Sequence, residues 1–358
     1  MLNELAKNDS TLEARFVCDK GFLKQSKGIM DELPFDVIVT TVPSGKLRRY
    51  AHFSWWHYIR HASIVLHNGV DCIKIVAGFF ASLWLIARFR PDVVFAKGGF
   101  VCLPVGYAAR ILRIPLVIHD SDARPGLTNK LLARHAQAIG VGMPLENYTY
   151  KRAITTYVGV PINPHVKPTT RELQEQYRTE LGLPLNKEIV VAVGGGLGSV
   201  TINNAMLQAA HRFDASQTLL YNVTGVKNYD AAKRASEGVA AYECASFVYS
   251  DMYKLLGAAD VVVTRASATT LQELAGLRKA VIAVPAKQLG DQQKNAELFA
   301  KYDAIMTLQD DDLDRLGDVI HALLRDKHRQ KELAKSLHAF ARPHAASDMA
   351  SIIQKVVA

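Results

Sequence analysis

Cysteine is scarce in this chain of 358 residues, which contains only four. They lie far apart and form no Cys-x-x-Cys pair: Cys18, Cys72, Cys102 and Cys244. Structural zinc sites and disulfide frameworks need closely spaced or numerous cysteines. The sequence indicates neither, so we expect a protein of a reducing cytoplasm that holds no metal ion.

Long apolar runs are also missing. The most apolar stretch, IVAGFFASLWLIA from Ile75 to Ala87, spans 13 residues, whereas a helix that crosses a bilayer needs about 20. The opening stretch MLNELAKNDSTLEA is polar and lacks the apolar segment of a secretory signal. We therefore predict neither a transmembrane helix nor a secretory signal.

Acidic residues are fewer than basic ones, with 34 Asp and Glu against 43 Lys and Arg, which gives a net charge of +9. Such a balance favours anionic partners, which include phosphorylated substrates, acidic lipid headgroups and nucleic acid. Charge alone does not choose among them. Apolar residues make up 49% of the chain, which is typical of a folded soluble protein, and the length suggests two domains.

Short apolar runs typical of β-strands alternate with helical stretches. The first series is EARFVCD, DVIVTTV, DVVFAKG, LVIHD, AIGVG and TYVGV, and the second is EIVVAVGGG, TLLYNVTG, ASFVYS, ADVVVTRA and AVIAVP. A polar segment marked by Pro161, Pro164, Pro168 and Pro184 separates them. Near-continuous Val/Ile/Leu strands between helices are typical of parallel sheets covered on both faces. We predict two doubly wound α/β domains that face a cleft, with ligands bound beyond the carboxyl ends of the strands.

A glycine-rich turn follows the first strand of the second series. In VVAVGGGLGSVTIN the strand runs into Gly194, Gly195, Gly196 and Gly198 ahead of a helix. Glycines there let a phosphate approach the helix N-terminus without interference from a Cβ atom. The turn is neither a Walker loop nor a Gly-x-Gly-x-x-Gly motif, and a tight turn without a ligand is an equally good explanation.

A second strand-to-helix junction lies in VTRASATTLQELAGLRKAVIAVP, where Arg265 and small residues precede a helix that carries Glu273. A carboxylate at this position can accept hydrogen bonds from a ribose diol, or it can complement the helix dipole. Farther along, Gln292, Gln293 and Asn295 offer amides suited to sugar hydroxyls. A plain helix start explains that polar cluster nearly as well.

Two loops in the first half of the chain are predicted at one sheet edge. Gly98 and Gly99 follow one strand, and His119, Asp120 and Asp122 follow the next. A His beside an Asp can act as a general base or orient hydroxyls. A purely structural His at the end of a strand is the other possibility.

Several motifs in one order resemble the MurG family of GT-B glycosyltransferases, glycosyltransferase family 28. They are GGFV, IHDSDARPGLTN, GVPI, GGGLG, ADVVVTRA and DQQKNA, and the resemblance extends from about Phe95 to Ala358. It implies an α/β GT-B fold with an acceptor and membrane-side domain at residues 1–163 and a UDP-sugar domain at 164–340. A C-terminal helix at 341–358 would pack back toward the first domain.

The implied activity is inverting transfer of N-acetylglucosamine from UDP-N-acetylglucosamine, the donor substrate, to a polyprenyl-diphosphate-linked muramoyl-pentapeptide, without a cofactor. Position by position, the glycine turn would face the UDP diphosphate, and Glu273 would hold the ribose. The remaining donor contacts would come from Tyr249, Arg265, Ala268, Thr269, Thr270, Gln292 and Gln293. His119 or Asp120 would be the base, and Gly98, Gly99 and Phe100 would lie on the acceptor side.

Three positions differ from the family pattern. Gly196 replaces a Ser, Asp122 replaces an Asn, and Asn163 replaces an Arg, all at substrate-binding positions of the donor or cleft region. The family's Gly-x-Gly-Gly-His loop, which carries a candidate catalytic His, precedes the first residue of this sequence. We therefore expect donor binding with slow transfer.

A basic and aromatic segment is a candidate membrane contact. SGKLRRYAHFSWWHYIRHASIVL clusters Lys46, Arg48 and Arg49 with Trp55 and Trp56. Such a mixture suits anionic headgroups and the interfacial zone, although the aromatic side chains can also fill a core. Phe79, Phe80 and Trp84 would add apolar contact. No nucleic-acid motif accompanies the segment, so we expect a peripheral protein at the cytoplasmic face of the membrane.

Two other functions stay open at this point. A UDP-N-acetylglucosamine 2-epimerase would share the architecture and the donor but would need no lipid-facing surface. A non-catalytic protein that binds a UDP-sugar would fit the three substitutions.

Overall fold

A computed structural model of the chain describes residues 1–45, 62–248 and 251–358. The chain divides into two compact units, and each has its own parallel sheets and helices. The first unit comprises Met1–Ser121, Pro125–Val158 and His344–Ala358, and the second comprises Asp122–Arg124 and Gly159–Pro343.

The first unit contains two parallel sheets. In one, β1 pairs with β2, and in the other the strand order is β3-β4-β5-β6. The strands are β1 Ala14–Cys18, β2 Val37–Thr41, β3 Val94–Ala96, β4 Leu116–Asp120, β5 Ala138–Val141 and β6 Thr155–Tyr157. The α-helices are α1 Leu2–Asn8, α2 Leu23–Met30, α3 Ala62–Phe89, α4 Cys102–Ile111, α5 Leu127–Leu132 and, near the C-terminus, α14 Ala345–Val357.

The core of the first unit forms on β4, whose side chains are all buried because elements cover both faces of the sheet. Val117 packs with Val158 of the loop after β6 and with Leu5 of α1. Met349 and Ile353 of α14 complete this cluster. The last helix of the chain is therefore part of the hydrophobic core of the first unit.

Helix α3 corrects one sequence expectation. The apolar run Ile75–Ala87 is part of a 28-residue helix, and its stretch Gly69–Phe89 has a mean hydropathy of 1.9 over the most apolar window. By length and composition alone this stretch is long and apolar enough to cross a membrane, contrary to the expectation that no segment is. Core helices of soluble proteins meet the same criteria, and α3 packs along α4.

The second unit is built on one six-stranded parallel sheet of order β12-β11-β10-β7-β8-β9. Its strands are β7 Glu188–Val193, β8 Thr218–Val223, β9 Tyr242–Ala245, β10 Val261–Thr264, β11 Ala280–Ala283 and β12 Met306–Thr307. Its α-helices are α6 Arg171–Glu180, α7 Val200–Ala210, α8 Tyr229–Ala235, α9 Met252–Ala258, α10 Ala268–Leu277, α11 Gly290–Lys301, α12 Leu316–Arg325 and α13 Lys327–His338. Short 3₁₀ helices occur in both units at Lys20–Phe22, Leu145–Asn147, Arg152–Ile154 and Asp310–Arg315.

The central strands of this sheet are apolar throughout because helices cover both faces. Val190 of β7, Val261 and Val263 of β10, and Ile282 of β11 are fully buried in one cluster with residues of α7 and α12. The predicted doubly wound parallel architecture is confirmed for both units. Two details were wrong: the ninth strand is Tyr242–Ala245 rather than ASFVYS, and β12 was not predicted.

Candidate functional site

The glycine turn connects β7 to α7 in a conformation that most side chains would not allow. Gly195 and Gly198 have φ angles of +83° and +74°, in the left-handed region that favours glycine. A Cβ atom on Gly198 would lie 1.9 Å from the carbonyl oxygen of Thr224, and one on Gly194 would lie 2.4 Å from the Ser199 nitrogen. At Gly196 a Cβ atom would meet nothing within 4 Å, so the replacement of the family's Ser there is sterically neutral.

Arg265 ties the glycine turn to the second junction. Its Nε donates a hydrogen bond to Ser199 Oγ at 2.9 Å, and its terminal nitrogens donate to Thr201 Oγ1 at 3.1 Å and to Asp310 Oδ1 at 3.3 Å. Ser199 is the N-cap of α7 and accepts a hydrogen bond from the Ile202 N–H. Arg265 is 8% exposed, and its guanidinium places a fixed positive charge beside the start of α7.

The second junction leads from β10 into α10. Ser267 is the N-cap of this helix, and its Oγ accepts a hydrogen bond from the Thr270 N–H. The first N–H groups of a helix have no intrahelical partner, so those of Ala268 and Thr269 have no acceptor within α10. Glu273 follows one turn later and is half-buried. Because β10 pairs in parallel with β7, with Thr264 opposite Val193, both junctions lie at the same sheet edge.

The two glutamines secure the loop after β11, the strand next to β10. Gln292 Oε1 accepts a hydrogen bond from the Ala286 N–H at 3.2 Å, and Gln293 Nε2 donates one to the Pro285 oxygen at 3.3 Å. Each amide carries further donor and acceptor positions that can serve sugar hydroxyls. Three neighbouring strands thus bring residues that are predicted to bind the UDP-sugar to one edge of the sheet.

Asn163 and Asp122 belong to the second unit and make local contacts. Asn163 is exposed, and its Oδ1 accepts a hydrogen bond from the His165 N–H at 2.9 Å. Asp122 Oδ1 accepts one from the amide of Asn295 at 2.9 Å. Tyr249 lies outside the described residues, as do Lys46, Arg48, Arg49, Trp55 and Trp56 of the predicted membrane segment.

The first unit brings two predicted loops to adjacent strand ends. Gly98 and Gly99, with φ of +90° and +85°, follow β3, and Phe100 precedes α4. His119 and Asp120 end β4, which pairs in parallel with β3. The expectation that both loops open at one sheet edge is confirmed.

His119 and Asp120 are buried, with 0% and 3% of their surface exposed. The Ser121 hydroxyl lies 3.3 Å from Nδ1 of His119, and the Asn129 amide donates to the His119 carbonyl oxygen at 3.3 Å. Tyr150 Oη donates a hydrogen bond to Asp120 Oδ2 at 2.6 Å. A proton acceptor at either position would therefore be held by its neighbours.

Tyr150 was not predicted from the sequence. Burial, reinforced by the Asp120 carboxylate, raises the pKa of Tyr150 well above its ordinary value, so the phenol stays protonated and donates to that carboxylate. Its ring stacks on Tyr148 with the centroids 5.8 Å apart. The only signal in the sequence was the Tyr-Thr-Tyr repeat in the loop after β5, which by itself carries no chemistry.

One face of α3 is apolar and exposed. It presents side chains that are between 56% and 70% exposed: Ile73, Val76, Phe80 and Trp84. Their spacing of three to four residues places them along one side of the helix. Phe80 and Trp84 therefore do not fill the core, whereas Phe79 is partly buried.

In the part of the chain that the structure describes, no group of three or more His, Cys, Asp or Glu side chains is arranged to hold a metal ion.

Comparisons with known proteins agree with these observations. The family model described as the glycosyltransferase family 28 C-terminal domain matches residues 189–354, and that for the N-terminal domain matches residues 18–141. A Geobacillus kaustophilus protein named UDP-N-acetylglucosamine--N-acetylmuramyl-(pentapeptide) pyrophosphoryl-undecaprenol N-acetylglucosamine transferase is 32% identical over 323 residues, covering 88% of this chain and 84% of the relative. A Halalkalibacterium halodurans protein of the same name is 28% identical, covering 99% of this chain and 94% of the relative.

Among solved structures, the chain is similar to Acinetobacter baumannii MurG with a TM-score of 0.71 and 21% identity, covering 98% of this chain and 94% of that chain. This likeness shows the fold and confirms the predicted GT-B fold class.

Proposed function

The chain belongs to glycosyltransferase family 28, and we propose that it transfers N-acetylglucosamine from UDP-N-acetylglucosamine to N-acetylmuramyl-(pentapeptide) pyrophosphoryl-undecaprenol. This is the activity in the names of both relatives. The observation that carries the proposal is the pair of strand-to-helix junctions at one edge of the second unit's sheet. Backbone N–H groups at two helix N-termini, with Arg265 between them, suit a diphosphate.

In the proposed reaction an acceptor hydroxyl attacks the anomeric carbon of the donor sugar. The bond from that carbon to the diphosphate oxygen breaks, the anomeric configuration inverts, and UDP leaves. Negative charge then develops on the diphosphate, where helix N-terminal donors and a fixed cation stabilise it. The hydroxyl proton passes to a base, for which we propose His119 or Asp120, and the reacting hydroxyl must come within about 3.2 Å of that base.

A substitution of Glu273 tests the binding of the donor substrate. Replacing it with Ala removes a charge-assisted hydrogen-bond pair to the ribose and is expected to weaken UDP-N-acetylglucosamine binding by about 1.5 to 3 kcal/mol. Titration calorimetry measures the change. Glu172→Ala, at an exposed position on the first turn of α6, is the matched control and is expected to bind like the parent. An unchanged dissociation constant for Glu273→Ala would reject the ribose assignment.

A transfer assay distinguishes the candidate activities. It follows labelled N-acetylglucosamine from its UDP donor into a soluble analogue of the lipid acceptor. Labelled product supports the transferase. Donor binding without product favours a non-catalytic binding protein, and formation of the 2-epimer favours an isomerase. Both relatives are named for transfer rather than isomerisation.

The acceptor is lipid-linked, and we propose that the protein binds the cytoplasmic surface of the membrane peripherally. The exposed apolar face of α3 supports the proposal, since Phe80 and Trp84 are 63% and 67% exposed and interfacial helices insert such side chains among headgroups. The basic segment containing Lys46, Arg48 and Arg49 precedes this helix in the sequence.

Sedimentation with vesicles that contain phosphatidylglycerol tests the membrane proposal. Replacing Lys46, Arg48 and Arg49 with Ser is expected to weaken binding by about 1 kcal/mol per charge, and added salt should have the same effect. Phe80→Ser with Trp84→Ser should weaken binding further. Leu185→Ser, at a position that is exposed in the second unit, is the control. Equal binding by all variants at low salt would reject this surface.

A further inference from the structure

Ala266 has an unusual backbone in the second junction. Its φ angle is +60°, a conformation in which the Cβ atom of any residue other than glycine crowds the backbone. The residue is fully buried and stands directly before Ser267, the N-cap of α10. Such strain persists only where the surrounding structure enforces it, and it is common at functional sites.

The amide of Asn295, on α11, enforces it. Nδ2 donates a hydrogen bond to the Ala266 carbonyl oxygen at 3.1 Å and another to Asp122 Oδ1 at 2.9 Å, while Oδ1 accepts one from the Ala123 N–H at 2.8 Å. Two acceptors and one donor therefore surround this side chain. An amide meets all three requirements, whereas a carboxylate cannot donate and an aliphatic side chain can do neither.

Asn295 is 0% exposed, and its amide nitrogen already donates to two acceptors of the protein, so its role is to hold neighbouring groups rather than to bind a ligand. It fixes the Ala266 carbonyl, which fixes the plane of the Ala266–Ser267 peptide bond and the direction in which α10 begins. The N–H groups of Ala268 and Thr269 follow within three residues. Displacement of binding groups by about 1 Å is enough to impair a site of this kind.

We propose that Asn295 is a positioning residue for the donor diphosphate, because it holds Ala266 in the left-handed conformation that aims the first turn of α10 at the ligand. This inference rests on the proposed function. Asn295 differs in its role from Gln292 and Gln293 on the same helix. Those two residues are partly exposed and are proposed to contact the sugar directly.

The test measures the affinity for UDP by titration calorimetry. Asn295→Asp keeps the shape of the side chain but turns a second oxygen toward the Ala266 carbonyl or the Asp122 carboxylate. Asn295→Ala removes the amide without adding charge. We expect each to weaken UDP binding at least about 10-fold at a temperature at which circular dichroism shows the folded protein.

Rescue by glycine separates positioning from a general loss of stability. Glycine adopts a positive φ angle without strain, so adding Ala266→Gly to Asn295→Ala should recover most of the lost affinity, and Ala266→Gly alone should bind within about 3-fold of the parent. The matched control is Gln272→Glu. Gln272 is a buried amide on α10 whose hydrogen bonds join the Val160 N–H to the Phe340 oxygen.

The Gln272→Glu variant is expected to lose thermal stability but to keep its affinity for UDP while folded. UDP binding by both Asn295 variants within 2-fold of the parent would overturn the inference and leave the proposed function intact. A folded double variant with no recovery would overturn it as well. A parent protein with no affinity for UDP would overturn both.

Discussion

The two ends of the second unit's sheet differ in how they use polar groups. At the amino end, Arg178 is 6% exposed and donates to the carbonyl oxygens of Ala258 and Lys187 and to the Asp260 carboxylate. That carboxylate also accepts the Ile189 N–H at 2.7 Å, and Lys279 Nζ donates to the Ala259 oxygen at 2.9 Å. These groups tie α6 to the starts of β7, β10 and β11.

The carboxyl end of the same strands uses its backbone differently. Gly195, Gly198 and Ala266 all have positive φ angles, and the first N–H groups of the helices that follow have no intrahelical partner. The strain at Ala266 and open backbone N–H groups both oppose folding, whereas the two glycines adopt a positive φ angle without strain. The comparison shows that the amino end pairs its buried polar groups with one another, whereas the carboxyl end leaves backbone groups open where we propose that the donor binds.

Breaking the amino-end network is expected to have the largest effect. Asp260→Ala leaves the buried Arg178 guanidinium without its counter-ion and should lower the free energy of unfolding by about 3 kcal/mol. Urea denaturation measures the loss. Glu188→Ala is the matched control, because Glu188 forms an exposed pair with Lys327 near the same sheet end, and such pairs contribute about 0–1 kcal/mol. Equal losses would contradict the contrast between the two ends.

Lys279 should make stability at the amino end depend on pH. Burial lowers the pKa of Lys279 to about 7, opposed by the Asp260 carboxylate and reinforced by Arg178. Between pH 7 and the ordinary value of 10.5, the unfolded chain holds a proton on this lysine that the folded chain lacks. The free energy of unfolding therefore rises with pH across this window, by at most about 1.4 kcal/mol per pH unit.

The measurement compares urea denaturation at pH 7.5 and 9.5. Lys279→Met should flatten the rise, because methionine has no proton to exchange, whereas Lys331→Met, at an exposed position on α13, should leave the slope as in the parent. A parent protein and a Lys279→Met variant with the same slope would show that Lys279 is charged in the folded state.

The sequence predicted the features that depend on local patterns. Continuous valine runs indicated β7 and β10, and clustered glycines indicated the turn at 194–198. Each of these signals is contained in a short stretch of sequence. ASFVYS was wrongly taken as a strand on the same grounds. Its apolar composition resembles a strand, but the paired residues are Tyr242–Ala245, and pairing is decided by the neighbouring strand.

Contacts between distant residues could not be predicted in this way. Arg265 and Ser199 are 66 positions apart, and Asn295 and Asp122 are 173 apart. An alanine gives no sign of a positive φ angle, so the conformation of Ala266 was unexpected. Asn295 was expected either to serve sugar hydroxyls or to be part of a plain helix start, but it is fully buried and bonded to other residues of the protein. The roles of Glu273, His119 and Asp120 stay predictions until binding and transfer are measured.

Two glycine substitutions at the carboxyl end are expected to change stability only slightly. Gly195→Ala and Gly196→Ala add the same methyl group at neighbouring exposed positions, and neither Cβ atom would meet anything within 4 Å. Only Gly195 has a positive φ angle. Gly195→Ala should therefore lower the free energy of unfolding by about 1–2 kcal/mol through backbone strain. Gly196→Ala should change it by less than about 1 kcal/mol, and can raise it by restricting the unfolded chain.

Urea denaturation of the two variants measures the effect of the backbone conformation on the free energy of unfolding, because the added volume and the exposure are the same at both positions. Ala266 shows that an alanine can occupy the left-handed region when a buried amide holds it, and Asn295 supplies that hold. Gly195 is exposed, so no comparable burial would hold an alanine there. Equal stability of Gly195→Ala and Gly196→Ala would mean that the turn relaxes freely. The turn would then not depend on glycine at position 195, and the backbone strain at the carboxyl end would be that of Ala266 alone.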